Sequence, residues 1–238
     1  MAAAQRLRYD VFVQELGADG PDVDHDARRE QDRFDPFARH LLLRHHNRPD
    51  GQDVVGVYRL LDQAGAAAAG QFYCEDEYDL TPLRQSGKTL LELGRSCLHP
   101  DYRGGAGMML LWQALSDIVA TEKIGILFGV ASFHGTDVQA LAGPLSFLHH
   151  RHLAPENLRV SAKGPRVDVL PEDQIDRVAA MRQTPALIKA YLRLGGVVGA
   201  GTFVDQAFNT TDICLILDTN AVNAQQKKIF HKARRNHV

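Results

Sequence analysis

Cysteine, tryptophan and long apolar runs are what this sequence has least of. Its 238 residues include three cysteines, Cys74, Cys97 and Cys214, with no CxxC pair, and one tryptophan, Trp112. So sparse and odd a set of cysteines makes no disulfide framework, and reduced thiols in a cytoplasmic setting are expected. The opening stretch, MAAAQRLRYDVFVQEL, carries charge from Arg6 onward and has no apolar h-region, which excludes a secretory signal there. Residues 194–204, the longest glycine-containing apolar run, fall short of the roughly 20 residues that span a bilayer. A net charge of −2, from 27 basic and 29 acidic residues, leaves no global attraction for nucleic acid. Internal repeats and low-complexity linkers are missing too, so residues 1–218 are expected to form one domain.

What is present suits a soluble globular chain: 45% of residues are hydrophobic, enough to bury one sizeable core. Charge is uneven only in the tail, residues 219–238, which has no acid and gathers Lys227, Lys228, Lys232, Arg234 and Arg235. Val222, Ile229, Phe230 and Ala233 recur there at roughly helical spacing. The tail is therefore either a short basic amphipathic helix suited to an anionic membrane surface or an acidic protein, or a solvated terminus.

Leu7, Val11, Phe12 and Leu16 place a helix over residues 5–16, and GADGPDVDHD at 17–26 is a loop. The Asp22-x-Asp24-x-Asp26 spacing is not a calcium loop, because Ala27 replaces the turn glycine and Arg33 the bidentate glutamate. Strands are expected over residues 40–45, 53–61 and 89–98, the last ending at His99-Pro100. A glycine turn, DYRGGAG, leads into a helix over 108–121. A buried strand at 125–133, a helix led by Thr136 and a helix over 185–194 follow, with strands at 198–204 and 211–217. Interleaved strands and helices make an α/β or α+β sheet domain.

Chemistry concentrates in the region 92–107. The glycine turn aims backbone N–H groups and a helix N-terminus at one point, where Arg103 adds a full charge; that suits a phosphate on a long arm. Within the preceding strand, Glu92 and Arg95 would lie on opposite faces under regular alternation. A bulge at or beside Gly94 would bring them together and free an N–H able to polarise a thioester carbonyl. The strand is also expected to splay from its neighbour at the glycine turn. Asp32 and Asp35 share a face of a helical turn, and with His40, Arg59 and the Glu92–Arg95 pair could make a polar cluster inside the sheet. His149, His150 and His152 have no partner acid spacing for a metal, and Cys97 has no His-Asp arrangement to make it a nucleophile.

The order LRYDVF, DRFD, GVYRLL, ELGRSCLHPDYR, LFGVASFHGTD and FNTTD resembles the ornithine–acyl carrier protein N-acyltransferases of ornithine lipid synthesis, over nearly the whole chain. A more distant likeness is to the acyl-homoserine-lactone synthases. Their first-helix arginine and phenylalanine would fall on Arg8 and Phe12, their paired aspartates on Asp32 and Asp35, their strand arginine on Arg59, and their Glu-x-x-Arg on Glu92 and Arg95. The tryptophan those synthases carry after the first helix has no counterpart, which counts against the lactone reading.

The resemblance implies the GNAT acyltransferase fold: a central mixed, twisted sheet flanked by helices, with a splayed strand pair at the acyl-donor site. The strand that opens such domains ahead of the first helix is lacking in this sequence. It further implies transfer of a 3-hydroxyacyl group from acyl carrier protein to the α-amine of L-ornithine, with lyso-ornithine lipid as product. No bound cofactor or metal is expected; phosphopantetheine arrives on the carrier protein and meets Leu98, Arg103, Gly104, Gly105 and Gly107. Tyr102 stands where the GNAT coenzyme A loop begins with Gln or Arg, which suits an arm with one phosphate. Asp32, Asp35 and Arg59 would hold the amino acid. Glu92 would be the base, with Arg95 beside it and His40 as the next base to consider. The rivals are a lactone synthase and a non-catalytic module that binds carrier protein or membrane. The enzyme would be cytoplasmic, touching the inner membrane peripherally through its tail.

Overall fold

The computed structural model describes residues 1–164 and 168–222. The chain opens with α1 (Ala2–Arg8), which continues as a wider π-helical segment, Tyr9–Glu15. Then come β1 (Val23–Asp24), β2 (Arg29–Glu30), β3 (Arg39–Arg44), β4 (Val54–Asp62), α2 (Gln63–Ala69), β5 (Tyr78–Asp79) and α3 (Thr81–Gln85). They are followed by β6 (Leu90–Leu98), α4 (Gly107–Glu122), β7 (Ile126–His134), α5 (Ala142–His152) and β8 (Ser161–Ala162). Last are α6 (Arg177–Gln183), α7 (Ala186–Arg193), β9 (Val197–Val198), β10 (Phe203–Asp205) and β11 (Thr210–Asp218). The alternation is α/β, and it resolves into two compact units: Met1–Phe72 with Leu91–Ile124, and Tyr73–Leu90 with Gly125–Val222.

In the first unit β3, β4 and β6 pair antiparallel, with β4 in the middle and almost wholly buried. One face of β4 carries Val57, Arg59 and Leu61. Val57 and Cys97 of β6 pack there against Ala4, Leu7 and Val11 of the first helix. The other face carries Gly56 and Tyr58 and meets α4. A Cβ at Gly56 would stand 2.7 Å from Leu98 Cδ2 and 3.1 Å from Leu111 Cδ1, so only glycine fits the approach. Trp112 Nε1 donates to the Tyr58 hydroxyl across the same contact, at 3.1 Å.

The strand pair β4–β6 holds a bulge. Val57 pairs with Cys97 and Arg59 with Gly94, so Tyr58 alone faces both Arg95 and Ser96. Arg95 adopts φ +51°, a left-handed conformation that β-region residues avoid. The expected irregularity beside Gly94 is present, and Arg95 supplies the backbone turn.

In the second unit β7 and β11 pair antiparallel along their whole length, Thr210 with His134 through Asp218 with Ile126, and β10 and β9 add to the far edge of β11. Two expectations are corrected here. The helix led by Thr136 begins only at Ala142, because the Asp137 carboxylate accepts the Gln139 and Ala140 N–H groups and holds a turn instead. The single strand over 198–204 is split into β9 and β10 around Gly201, whose φ of +78° breaks the extended run. Within the loop expected at 17–26, Val23–Asp24 forms β1 and pairs with β2 in a small hairpin. The amphipathic helix expected in the basic tail falls on residues 223–238, outside the described residues.

Candidate active site

Alternate residues of a strand and directly opposed residues of its neighbours share a face. Arg59 opposes His40 on β3 and Gly94 on β6, and Leu61 opposes Glu92, so His40, Arg59, Gly94 and Glu92 all look toward the α1 side. The sequence-predicted Asp32 and Asp35 arrive from the segment between β2 and β3. Asp32 accepts the Phe34 N–H at 2.9 Å, and the turn Asp35–Phe37 begins with Pro36.

These residues close a ring of alternating charge. Arg8 Nε reaches Glu30 at 2.5 Å, and Glu30 accepts from Arg95 Nε at 3.1 Å. Arg95 Nη2 reaches Asp32 at 2.9 Å, and Asp32 meets Arg59 Nη1 at 2.5 Å. Arg59 Nη1 also reaches Asp35 at 3.1 Å, and Asp35 returns to Arg8 Nη1 at 2.8 Å. Gln5 Nε2 adds a hydrogen bond to Asp35 at 3.0 Å. No side chain of the six is more than 9% exposed. Charges so buried persist only because each has partners on both sides. Burial pushes the Asp32 carboxyl up, but Arg95 and Arg59 outweigh it and hold the group at about 2. Glu30 is held low in the same way: burial opposes ionisation and is overcome by Arg95 and Arg8.

The sequence reading brought Asp32, Asp35, Arg59 and Arg95 together, and the structure does so. It did not find Glu30, which supplies the link between Arg8 and Arg95. A glutamate following two arginines in a polar loop carries no periodic signal; only the pairing of the β1–β2 hairpin turns it inward, to 1% exposure. Arg8 came from family likeness alone and is the most enclosed of the six, with Nη2 lacking a hydrogen-bond partner among the described residues.

Glu92 lies on the same face and is 3% exposed. His40 faces the same cluster, and burial lowers its pKa despite the Asp35 carbonyl 3.4 Å from Nε2. At the bulge, Ser96 Oγ is buried with no hydrogen-bond partner among the described residues. Cys97, fully buried, has its thiol pushed up to about 12 by burial, so it carries no thiolate at neutral pH.

At the glycine turn, Gly104 and Gly105 have open space where a Cβ would stand, and Gly107 opens α4. Arg103 is engaged elsewhere than expected. Its guanidinium grips Glu15 at 2.6 and 2.7 Å, and its Nε donates to the Leu98 carbonyl at 3.1 Å. A phosphate would have to displace Glu15 from it. Among the described residues the His149–His152 cluster gathers no acid; His150 Nε2 instead meets the Leu170 carbonyl at 2.8 Å. In the second unit Glu77, Asp205 and Asp212 bring carboxylate oxygens within 4.8 Å of one another.

Residues 7–113 match the acetyltransferase (GNAT) domain family. The chain is 57% identical over 231 residues to an L-ornithine N(alpha)-acyltransferase of Rhodobacter capsulatus, covering 96% of this chain and 89% of that protein. It is 40% identical over 230 residues to the enzyme of the same name from Brucella abortus, covering 94% and 82% respectively. Among solved structures, the acyl-homoserine lactone synthase BjaI superposes with a TM-score of 0.53 at 16% identity, over 98% of this chain and 80% of that one. The synthase LasI gives 0.52 at 16%, over 97% and 87%. At such identities the likeness extends to the fold.

Proposed function

Because the chain belongs to the family of L-ornithine N(alpha)-acyltransferases, we propose that it moves a 3-hydroxylated fatty acyl group from acyl carrier protein to the α-amine of L-ornithine, giving lyso-ornithine lipid. The observation that carries this reading is the buried carboxylate of Glu92 on the face of β6 that looks onto the closed ring. Glu30, Asp32 and Asp35 are neutralised by Arg8, Arg59 and Arg95, and Glu92 adds a fourth carboxylate on the same face. Glu92 is the carboxylate that meets the cationic substrate amine. Asp32, Asp35 and Arg59 then serve the amino acid at one remove, by fixing the field it enters.

The α-ammonium must lose a proton before its nitrogen can attack the thioester carbon. Glu92 takes that proton, directly or through water. The carbonyl electrons pass to oxygen, and backbone N–H groups at the Gly94 bulge steady the oxyanion. As the intermediate collapses, the nitrogen sheds its second proton, the C–S bond breaks, and the carrier sulfur leaves as the thiol with that proton, so that the amide remains. With Cys97 protonated, direct amine attack is favoured over an acyl-cysteine route. No helix among the described residues is long and apolar enough to cross a membrane. The basic cluster Lys227 to Arg235 is the proposed point of peripheral contact with an anionic membrane.

The test is Glu92→Gln, with 3-hydroxyacyl carrier protein and a panel of amino acids as substrates and mass spectrometry as the readout. Turnover with ornithine should fall by about 10²–10⁴-fold at neutral pH while the fold survives, and the deficit should shrink as pH rises. Activity that merely follows a lowered melting temperature would make Glu92 a structural residue. Wild-type protein that releases no carrier thiol with any amino acid would favour a binding module.

A further inference from the structure

We propose that Arg48 and His99 form an anion site beside the glycine turn, and that it takes the phosphate ester of the acyl donor's pantetheine arm. The identity of the ligand rests on the acyl-transfer reading above; the site itself rests on a hydrogen-bonding conflict.

The turn between β3 and β4 is closed by its own backbone. His45 N–H donates to the Asp53 carbonyl, and Arg48 N–H to the His45 carbonyl at 3.0 Å. That brings Arg48 to the end of β6, where His99 begins the glycine turn and its N–H donates to the Val55 carbonyl at 2.9 Å. His99 Nδ1 faces the Asp101 N–H at 3.3 Å, capping the turn Pro100–Tyr102. A neutral imidazole has one nitrogen with a free lone pair. If that nitrogen is Nδ1, then Nε2 carries a hydrogen and points at Arg48 Nη2, 3.3 Å away. A guanidinium can only donate, so two donors face each other. Moving the proton to Nδ1 shifts the same conflict onto the Asp101 N–H, and a doubly protonated ring has it on both sides. An anionic oxygen lying against Arg48 and Nε2 removes it.

Tyr102 holds the parts in place. Its ring lies 5.9 Å from the Arg48 guanidinium carbon, and the rings of His45 and His99 stand edge-on to it at 5.7 and 5.8 Å. Its hydroxyl is hydrogen-bonded to His45 Nδ1. No carboxylate among the described residues pairs with Arg48. Asp101, the acid nearest His99, stands at its Nδ1, 3.6 Å off, on the ring edge away from Arg48. Arg103, by contrast, is already committed to Glu15. A phosphate ester offers several oxygens at once, which matches a forked guanidinium and a neighbouring ring N–H.

The experiment follows the histidine ring signals of the full chain by NMR, with His99 assigned through His99→Gln, during titration with 4′-phosphopantetheine or unphosphorylated pantetheine. Phosphopantetheine should shift the His99 signals and pantetheine should not. Arg48→Met should weaken that binding about tenfold or more, and Arg103→Met less than about threefold. Binding of phosphopantetheine by Arg48→Met as well as by wild type, or equal effects of the two ligands, overturns the proposal. Parallel titrations with holo-carrier protein and coenzyme A assign the source: the one whose binding depends on Arg48 supplies the phosphate, and dependence in neither overturns the site. Wild-type protein that binds phosphopantetheine through Arg48 yet accepts no acyl group from carrier protein would defeat the donor assignment and leave the site standing.

Discussion

Replacing Asp32 by asparagine tests whether the ring of charges behaves as one closed circuit. Asp32 joins Arg95 at 2.9 Å and Arg59 at 2.5 Å, and its side chain is 6% exposed. Its carboxyl is held at about 2 against an ordinary 3.8, with the two arginines overcoming burial. A downward shift of that size corresponds to about 2 kcal/mol of native-state preference for the ionised form. Asparagine also takes one carboxylate partner from Arg59, which keeps Asp35, and one from Arg95, which keeps Glu30. Breaking a buried charge pair on one side raises the loss to about 3–5 kcal/mol at neutral pH. Urea unfolding, followed by circular dichroism from pH 7 to pH 2, reads both parts. A depressed carboxylate stabilises above its unfolded pKa, and that contribution fades as pH falls through the folded one. The gap between wild type and variant should therefore hold at about pH 5 and above, then narrow by about 2 kcal/mol between pH 4 and pH 2. A variant within about 0.5 kcal/mol of wild type at pH 7, or a gap that ignores pH, would refute the reasoning.

Two further outcomes follow from packing. Gly56→Ala should destabilise by about 1–3 kcal/mol, because the new methyl meets Leu98, Leu111 and Leu43 at 2.7–3.1 Å; an unchanged urea midpoint would show that the β4–α4 contact gives way freely. The thiols Cys74, Cys97 and Cys214 are each no more than 5% exposed, so a maleimide should label none in native protein and three after unfolding. Fast native labelling of Cys97 would contradict its burial.

The apolar run Val54–Asp62, the β-branched and leucine-rich strands, and the glycine turn into α4 were legible because local composition and turn chemistry agree with the fold there. The bulge was legible for another reason: two charges on an apolar strand needed a common face. Glu30 was not, since its place depends on a hairpin register that short, polar strands do not announce. Arg103 shows the reverse failure. Its position beside the glycines was foreseen, but Glu15, 88 positions away in sequence, captures it. The Arg48–His99–Tyr102 grouping joins a loop to a strand end, and nothing in either segment alone points to the other.

The bulge at Arg95–Ser96 makes β6 two half-strands of opposite parity. Ahead of it, the even-numbered Glu92 and Gly94 look toward the first helix; beyond it, the odd-numbered Cys97 does, and Leu98 turns to α4. Straightening the strand at its present length would exchange the last two, setting the leucine among the guanidinium groups and the thiol beneath Leu111. At this point the strand's length and its bulge are tied together: straightening alone transposes two faces of the protein, whereas dropping one residue with the bulge keeps both faces and removes the turn at Arg95.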